Sequence, residues 1–473
     1  MIARISPAQL GGTISAIASK SDAHRLLILA ALSRGETRLI LEQRSEDIDA
    51  TIYCLRALGA EIEILPDGVM VRGIEQPTKN PLLDCGESGS TFRFLLPVAA
   101  ALCENARFTG GGRLPERPIG DLMSVLRAHG VSFSADRLPF TTSGRLSGGE
   151  YALPGNVSSQ YLTGLLLALP RLTQDSTISL TTRLESASYV EITLHALKRF
   201  GVCVRVQNNT YAISGGQRIA SPGALRVDGD WSNAAFFLAA GALGAPVTLT
   251  GLSLDSPQGD KAILDALIQF GANVQATVES VTVSPGKLAG CTIDVGETPD
   301  LLPILAVLGA CASGETRLIN AARLRLKESD RLSSVSAMLR ALGGRVDELP
   351  DALVITGGRL IGGTVDSAHD HRIAMSAAIA SVCCTQTVNI LGADAVNKSY
   401  PTFFGDFNKL GGHADVVWIR KNPASRRVWR VARARHRRDD AGVTCGGSRG
   451  FCCVGGVFRS PQTGQKRALH RAQ

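Results

Sequence analysis

The stretch GETRLI at residues 314–319, followed by LRALG at 339–343, repeats GETRLI at 35–40 and LRALG at 55–59. Weaker copies of the same pattern are SVLRAHGVSFSA, HALKRFGVCVRV, DALIQFGANVQA and FNKLGGHADVV. Each joins an apolar helical run to a glycine and then to residues that alternate as a strand does. The glycines are Gly59, Gly130, Gly201, Gly271, Gly343 and Gly411, spaced 71, 71, 70, 72 and 68 residues apart. A glycine closing a helical run is a helix-stop signal, and Val202, Val204 and Val206 after it have the period of a strand. A unit of about 70 residues with two helices and several strands makes a layer without a closed core, so such units must associate. Three and three is the simplest grouping. The fold class expected is therefore α/β, with two similar lobes of three repeated βα units each and a ligand cleft between them.

The chain has 473 residues, 44% hydrophobic and 19% charged, enough apolar content to bury a large core and too long for one ordinary domain. The longest apolar runs, near 236–247 and 301–312, are too short for a membrane span and contain Gly or Pro. Nothing at the N-terminus has the form of a secretory signal, which points to the cytoplasm. The 11 cysteines are dispersed, odd in number and without a C-x-x-C pair, which argues against a disulfide framework or a zinc site. The net charge of +8 suggests an anionic partner. It is unevenly spread: residues 420–473 hold 14 Lys and Arg against 2 Asp and Glu, leaving 36 against 40 for residues 1–419. The tail, 419–473, is thus expected to be a basic, disordered extension, and the body argues against nucleic acid.

Polar residues gather where the helical runs begin. Lys20 to Arg25, Gly86 to Arg93, Arg117-Pro118, Ser158-Ser159-Gln160, Ser186 to Tyr189, Gly229-Asp230, Pro299-Asp300, Lys327 to Arg331, Asp370 to Arg372 and Lys398 to Pro401 each precede an apolar helix. Helix starts carry unsatisfied N–H groups and a partial positive charge. Adding Lys20, Arg25, Arg93, Arg117, Lys327, Arg331, Arg372 and Lys398 there costs stability unless anions arrive, so the cleft is expected to hold several phosphate or carboxylate groups. A P-loop and a dinucleotide fingerprint are both missing. Asp370 and His371 stand as a pair with no third metal ligand near them in sequence, so neither metal nor cofactor is expected.

With KSDAHR at 20–25, GESGSTFR at 86–93, LPERPIGDL at 114–122, SSQ at 158–160, KESDRL at 327–332, DHRIAM at 370–375 and NKSYPTFF at 397–404, the chain resembles the 3-phosphoshikimate 1-carboxyvinyltransferase family, also called 5-enolpyruvylshikimate-3-phosphate synthases. The resemblance covers about residues 1–418. It implies an inside-out α/β barrel in which the chain crosses twice between lobes, one lobe being 1–18 plus 229–418 and the other 19–228. It implies transfer of the enolpyruvyl group of phosphoenolpyruvate to the 5-hydroxyl of shikimate 3-phosphate, on the way to chorismate and the aromatic amino acids, by a monomer with small-molecule partners only. By family position, Lys20, Ser21, Arg25, Ser158, Ser159, Gln160, Ser186, Tyr189, Asp300 and Lys327 would hold shikimate 3-phosphate. Lys20, Gly89, Arg117, Gln160, Arg331, Arg372 and Lys398 would hold phosphoenolpyruvate. Asp300 would be the base and Glu328 the acid, with Lys20 a third proton carrier.

Some positions depart from the family's common pattern: Glu87, Phe94 and Arg323. A carboxylate at 87 beside phosphoenolpyruvate is unexpected unless it points away or pairs with an arginine. Two other readings compete with this one. The sister enzyme using UDP-N-acetylglucosamine carries a reactive Cys in its active loop, and GGGRLPERPIG has none. An inactive relative that binds anions or nucleic acid would rest on the basic tail alone.

Overall fold

The computed structural model describes residues 1–419 and 431–432. Six sheets run through the described residues, five of four strands and one of five. One unit illustrates all of them. Thr292–Asp294 lies parallel to Glu315–Ile319, which is antiparallel to Leu353–Thr356, whose other neighbour is the antiparallel Arg345–Glu348. Helix Leu302–Cys311 joins Thr292–Asp294 to Glu315–Ile319, and helix Arg331–Ala341 leads to Arg345–Glu348.

Three sheets are completed by strands distant in sequence. Ala224–Arg226 pairs with Glu36–Ile40, and Gly12–Ser15 with Val247–Thr250, both in parallel. Ile2–Ser6 inserts antiparallel between Val388–Leu391 and His413–Ile419.

The two helices of a unit differ as their sequences dictate. The first is apolar nearly all round, as in Leu302–Cys311 or Trp231–Leu243, and is buried on every side. The second is amphipathic: Ile263–Phe270 buries Ile263, Ala266, Leu267 and Phe270 and leaves its other face to solvent. Gly271 then ends it, its N–H donating to the Ile268 and Leu267 carbonyls. All six repeat glycines take positive φ, from 75° to 110°, which a side chain would resist.

The buried apolar residues form two cores. One runs from Ala23 to Val227, the other takes Ala3 to Ile17 and Trp231 to Leu410. Between them the chain crosses twice, and the crossings pair with each other. Ser19 N–H donates to Asp228 O at 2.7 Å, Asp230 N–H donates to Ile17 O at 2.8 Å, and Ala18 bridges Gly229.

No described helix is long and apolar enough to cross a membrane. The eight described cysteines are all free thiols. The basic tail expected over 419–473 lies outside the described residues, except that Ile419 ends the strand begun at His413 and Val431–Ala432 pairs with that strand.

Candidate active site

A cavity opens between the two cores, where helix starts from both meet. Its walls hold Lys20, Ser21, Arg25, Gly89, Arg117, Ser158, Ser159, Gln160, Ser186, Tyr189, Asp300, Lys327, Glu328, Arg331 and Arg372. Lys398 is not among the wall residues; it stands beside them, donating to Glu87 and to the His369 carbonyl.

On one side the wall is cationic. A Cβ on Gly89 would lie 2.5 Å from Arg117 Nη1 and 2.9 Å from Arg93 Nη1, so the missing side chain lets two guanidiniums rest against the helix start. Helices Gly89–Leu102 and Ser159–Ala168 pack closely because Gly164 faces the Arg93 carbonyl, 2.4 Å from where a Cβ would sit. That approach lets Arg93 donate to Gln160 Oε1 at 2.8 Å and Gln160 donate to Ser90 at 3.0 Å. Arg117 has no side-chain hydrogen bond or ion pair among the described residues, and its Nε and that of Arg93 are buried without partners. Burial, and then the charge of Arg117, depress Arg93 to about 9. Burial also lowers Arg117, against the pull of Glu328. Two buried like charges with spare donors are a site waiting for an anion.

Lys20 lies beside this pocket, 2.8 Å from Asp47. Burial opposes its charge, but Asp47 and Glu328 outweigh burial and raise it above the ordinary lysine range. Arg25, by contrast, is committed to the protein: it donates to Thr193, to the Ser21 carbonyl and to the Tyr189 carbonyl, and stacks over Phe94 at 4.9 Å. It fixes two neighbouring wall residues in place.

On the opposite side Asp300 is a hub. Arg331 donates to it at 2.7 Å, Arg372 at 2.8 Å and Tyr189 at 3.1 Å, and Lys327 stands 3.8 Å away. Burial would raise its carboxyl, but Arg372, Lys327 and Arg331 prevail and hold it well below the usual range. Lys327 is itself brought down to about 8 by burial, which Asp300 only partly offsets. Ser186 caps the helix Ala187–Arg199 in a left-handed conformation, φ 56° and ψ 48°, with no capping bond of its own. Its hydroxyl instead receives Arg323 from the other core at 3.0 Å. Ser158 caps the helix Ser159–Ala168 conventionally.

Glu328 comes within 2.8 Å of His371 Nδ1, at an angle too oblique for a hydrogen bond, and within 3.6 Å of Arg331. Burial would raise it, yet His371, Arg331 and Lys20 hold it well below the usual carboxylate range. These charges favour the ionised form of Glu328. The expectation that Asp370 and His371 lack a third partner is corrected here, since Glu328 joins them with ligand atoms within 4.8 Å of one another. Arg331 already occupies that cluster, bonded to Asp370 at 2.8 Å, so a metal ion there would meet a guanidinium. The donor set does not fit one.

Several wall or near-wall residues escaped the sequence reading as site members: Asp47, Ser90, Ser232, Asn233, His371 and, behind Tyr189, Asp260. Asp47 reads as an ordinary first-turn acid.

Residues 5–407 match the family model described as EPSP synthase (3-phosphoshikimate 1-carboxyvinyltransferase). A protein of Clostridium novyi named 3-phosphoshikimate 1-carboxyvinyltransferase is 45% identical over 428 residues, 87% of this chain and 98% of that one. One of Clostridium kluyveri with the same name is 43% identical, over 87% and 97% of the two chains. The solved EPSP synthase of Acinetobacter baumannii superposes with a TM-score of 0.74 at 26% identity, covering 87% of this chain and 99% of that one. The enolpyruvyl transferase NikO of Streptomyces tendae, at 19% identity and TM-score 0.71 over 87% and 98%, shares the fold.

Proposed function

The chain belongs to the EPSP synthase family, and from that premise we propose how its cavity performs the family's reaction. The enzyme transfers the enolpyruvyl group of phosphoenolpyruvate to the 5-hydroxyl of shikimate 3-phosphate and releases phosphate, within the shikimate pathway. Both substrates are phosphorylated carboxylic acids. The observation that carries the assignment of parts is the unpartnered Arg117 beside Arg93, Gly89 and Lys20, a cation pocket that a doubly anionic small molecule fits.

Phosphoenolpyruvate occupies that pocket, with Lys20, Gly89, Arg117 and Gln160 on one side and Arg331 and Arg372 on the other, Lys398 reaching in from its flank. Shikimate 3-phosphate lies against Ser21, Arg25, Ser158, Ser159, Gln160, Ser186, Tyr189 and Lys327, its 5-hydroxyl toward Asp300. The 5-hydroxyl oxygen adds to C2 of phosphoenolpyruvate as its proton passes to Asp300 and C3 gains a proton. The C2–phosphate bond then breaks while C3 returns a proton, which restores the double bond. In the free site Asp300 is too strongly ion-paired to be a good base. Arrival of the substrate anions draws Arg331 and Arg372 away from Asp300, and its basicity rises as its partners are shared.

Glu328 needs the same switch to act as an acid. It starts ionised beside a protonated Lys20, so the proton for C3 comes from Lys20 directly or through Glu328 once the anions have neutralised its cationic neighbours. We assign the lobes to 1–18 plus 229–418 and to 19–228, and place the working enzyme in the cytoplasm as a monomer. Phosphate release is the test: the purified chain should liberate phosphate from phosphoenolpyruvate with shikimate 3-phosphate as acceptor and none with UDP-N-acetylglucosamine. The opposite pattern would transfer the assignment to the sister reaction.

A further inference from the structure

Glu87 lies at the start of the Gly89–Leu102 segment, in the part of the chain that builds one core, and Lys398 lies in the part that builds the other. Their side chains meet across the gap: Lys398 Nζ donates to Glu87 Oε2 and, at 2.8 Å, to the His369 carbonyl. The two partners are unequally enclosed, with Lys398 11% exposed and Glu87 42%. The Glu87 carboxylate rests on Gly112, where a Cβ would come within 2.4 Å of its Cδ, so it also covers the loop that leads to Arg117.

We propose that Glu87 is a resident anion that occupies Lys398 while phosphoenolpyruvate is absent and yields it when the substrate binds, so that residue 87 sets the affinity for phosphoenolpyruvate. The proposal rests on the reading of Lys398 as a ligand of that substrate. An enclosed ammonium is costly to leave without a counter-charge, whereas a half-exposed carboxylate is rehydrated at little cost. Glu87 is therefore the partner that moves. The substrate has to displace it, and its apparent affinity falls by the fraction of molecules in which Lys398 is already taken. A neutral side chain at 87 would leave Lys398 to the substrate.

The test is Glu87→Gln, which keeps the shape and removes the charge, with Glu87→Ala as a second variant in case the amide finds new partners. With shikimate 3-phosphate saturating, the KM for phosphoenolpyruvate falls about fivefold in the variants. Inorganic phosphate becomes a stronger competitor of phosphoenolpyruvate, and the difference from wild type narrows as salt is raised. A gain in affinity is not what structural damage produces. A KM equal to or above the wild-type value in both variants overturns the proposal. Wild-type phosphate release keeps the two readings apart: its absence defeats the assigned reaction, whereas wild-type turnover with an unchanged KM in the variants defeats only the role of Glu87.

Discussion

Arg331 Nη1 donates to Asp300 Oδ1 at 2.7 Å from a side chain that is 2% exposed. The same guanidinium is held from behind by Asp370, which is fully buried. One cation is thus oriented by a structural carboxylate and lent to a reactive one. Asp370→Asn should cost about 3 kcal/mol of stability, because it strands a buried charge. It should also raise the KM for phosphoenolpyruvate more than it lowers kcat. Urea denaturation and steady-state kinetics measure both, and an unchanged KM would show that Arg331 does not depend on Asp370 for its position.

Asp300→Asn removes the base and the hub together. kcat should fall about 100-fold or more, while shikimate 3-phosphate still binds with an affinity within about tenfold of wild type. Calorimetric binding and phosphate release separate the two effects. A variant keeping more than about a tenth of wild-type kcat would show that another group takes the hydroxyl proton.

Glu328→Gln decides between the two routes for the C3 proton. Passage through Glu328 predicts a loss in kcat of about 100-fold with both substrates bound normally. Near wild-type kcat would take Glu328 out of the proton path and leave Lys20 as the donor.

Lys327 gives a pH dependence with opposite signs for binding and stability. Its folded pKa of about 8 lies below the ordinary 10.5, so between those values the unfolded chain carries more protons and stability rises with pH. The free site meanwhile loses a cation, so the KM for shikimate 3-phosphate should climb as pH passes 8. Lys327→Arg keeps its charge through this range and should flatten the climb. An identical climb in the variant would place the titration elsewhere.

Among the described residues, those that wall the cavity lie between 20 and 372. Deleting residues 433–473 should leave kcat and both KM values unchanged in the phosphate assay, and a tenfold loss would make the basic segment part of the working enzyme.

The repeat was legible because its marker is local: a glycine ending a helix is fixed by the residues beside it, and all six share positive φ. The strands Ile2–Ser6, Gly12–Ser15 and Ala224–Arg226 were harder, because what makes each a strand is a partner elsewhere in the chain. The site divides in the same way. Lys20, Arg331 and Arg372 were visible because a cation at a helix start runs against local preference, and Gly89 through the family resemblance. Asp47 obeys that preference and so gave no sign of its bond to Lys20. Arg323 becomes a site residue only when the other core brings Ser186 to it. The charge state of Glu328 depends on His371, Arg331 and Lys20 together; Arg331, three residues on, stood beside it in the sequence, whereas His371 and Lys20 arrive from distant segments.

The chain's two passages between the cores run side by side and are hydrogen-bonded at Ser19, Asp228, Ile17 and Asp230. Two separate strands would let one half of the molecule swivel freely about the other. A bonded ribbon bends across its width and resists torsion, so the halves are left with one easy direction of travel. A hinge motion along that direction would return Arg323 to Ser186 and Lys398 to Glu87 in the same register, with no search over relative orientations.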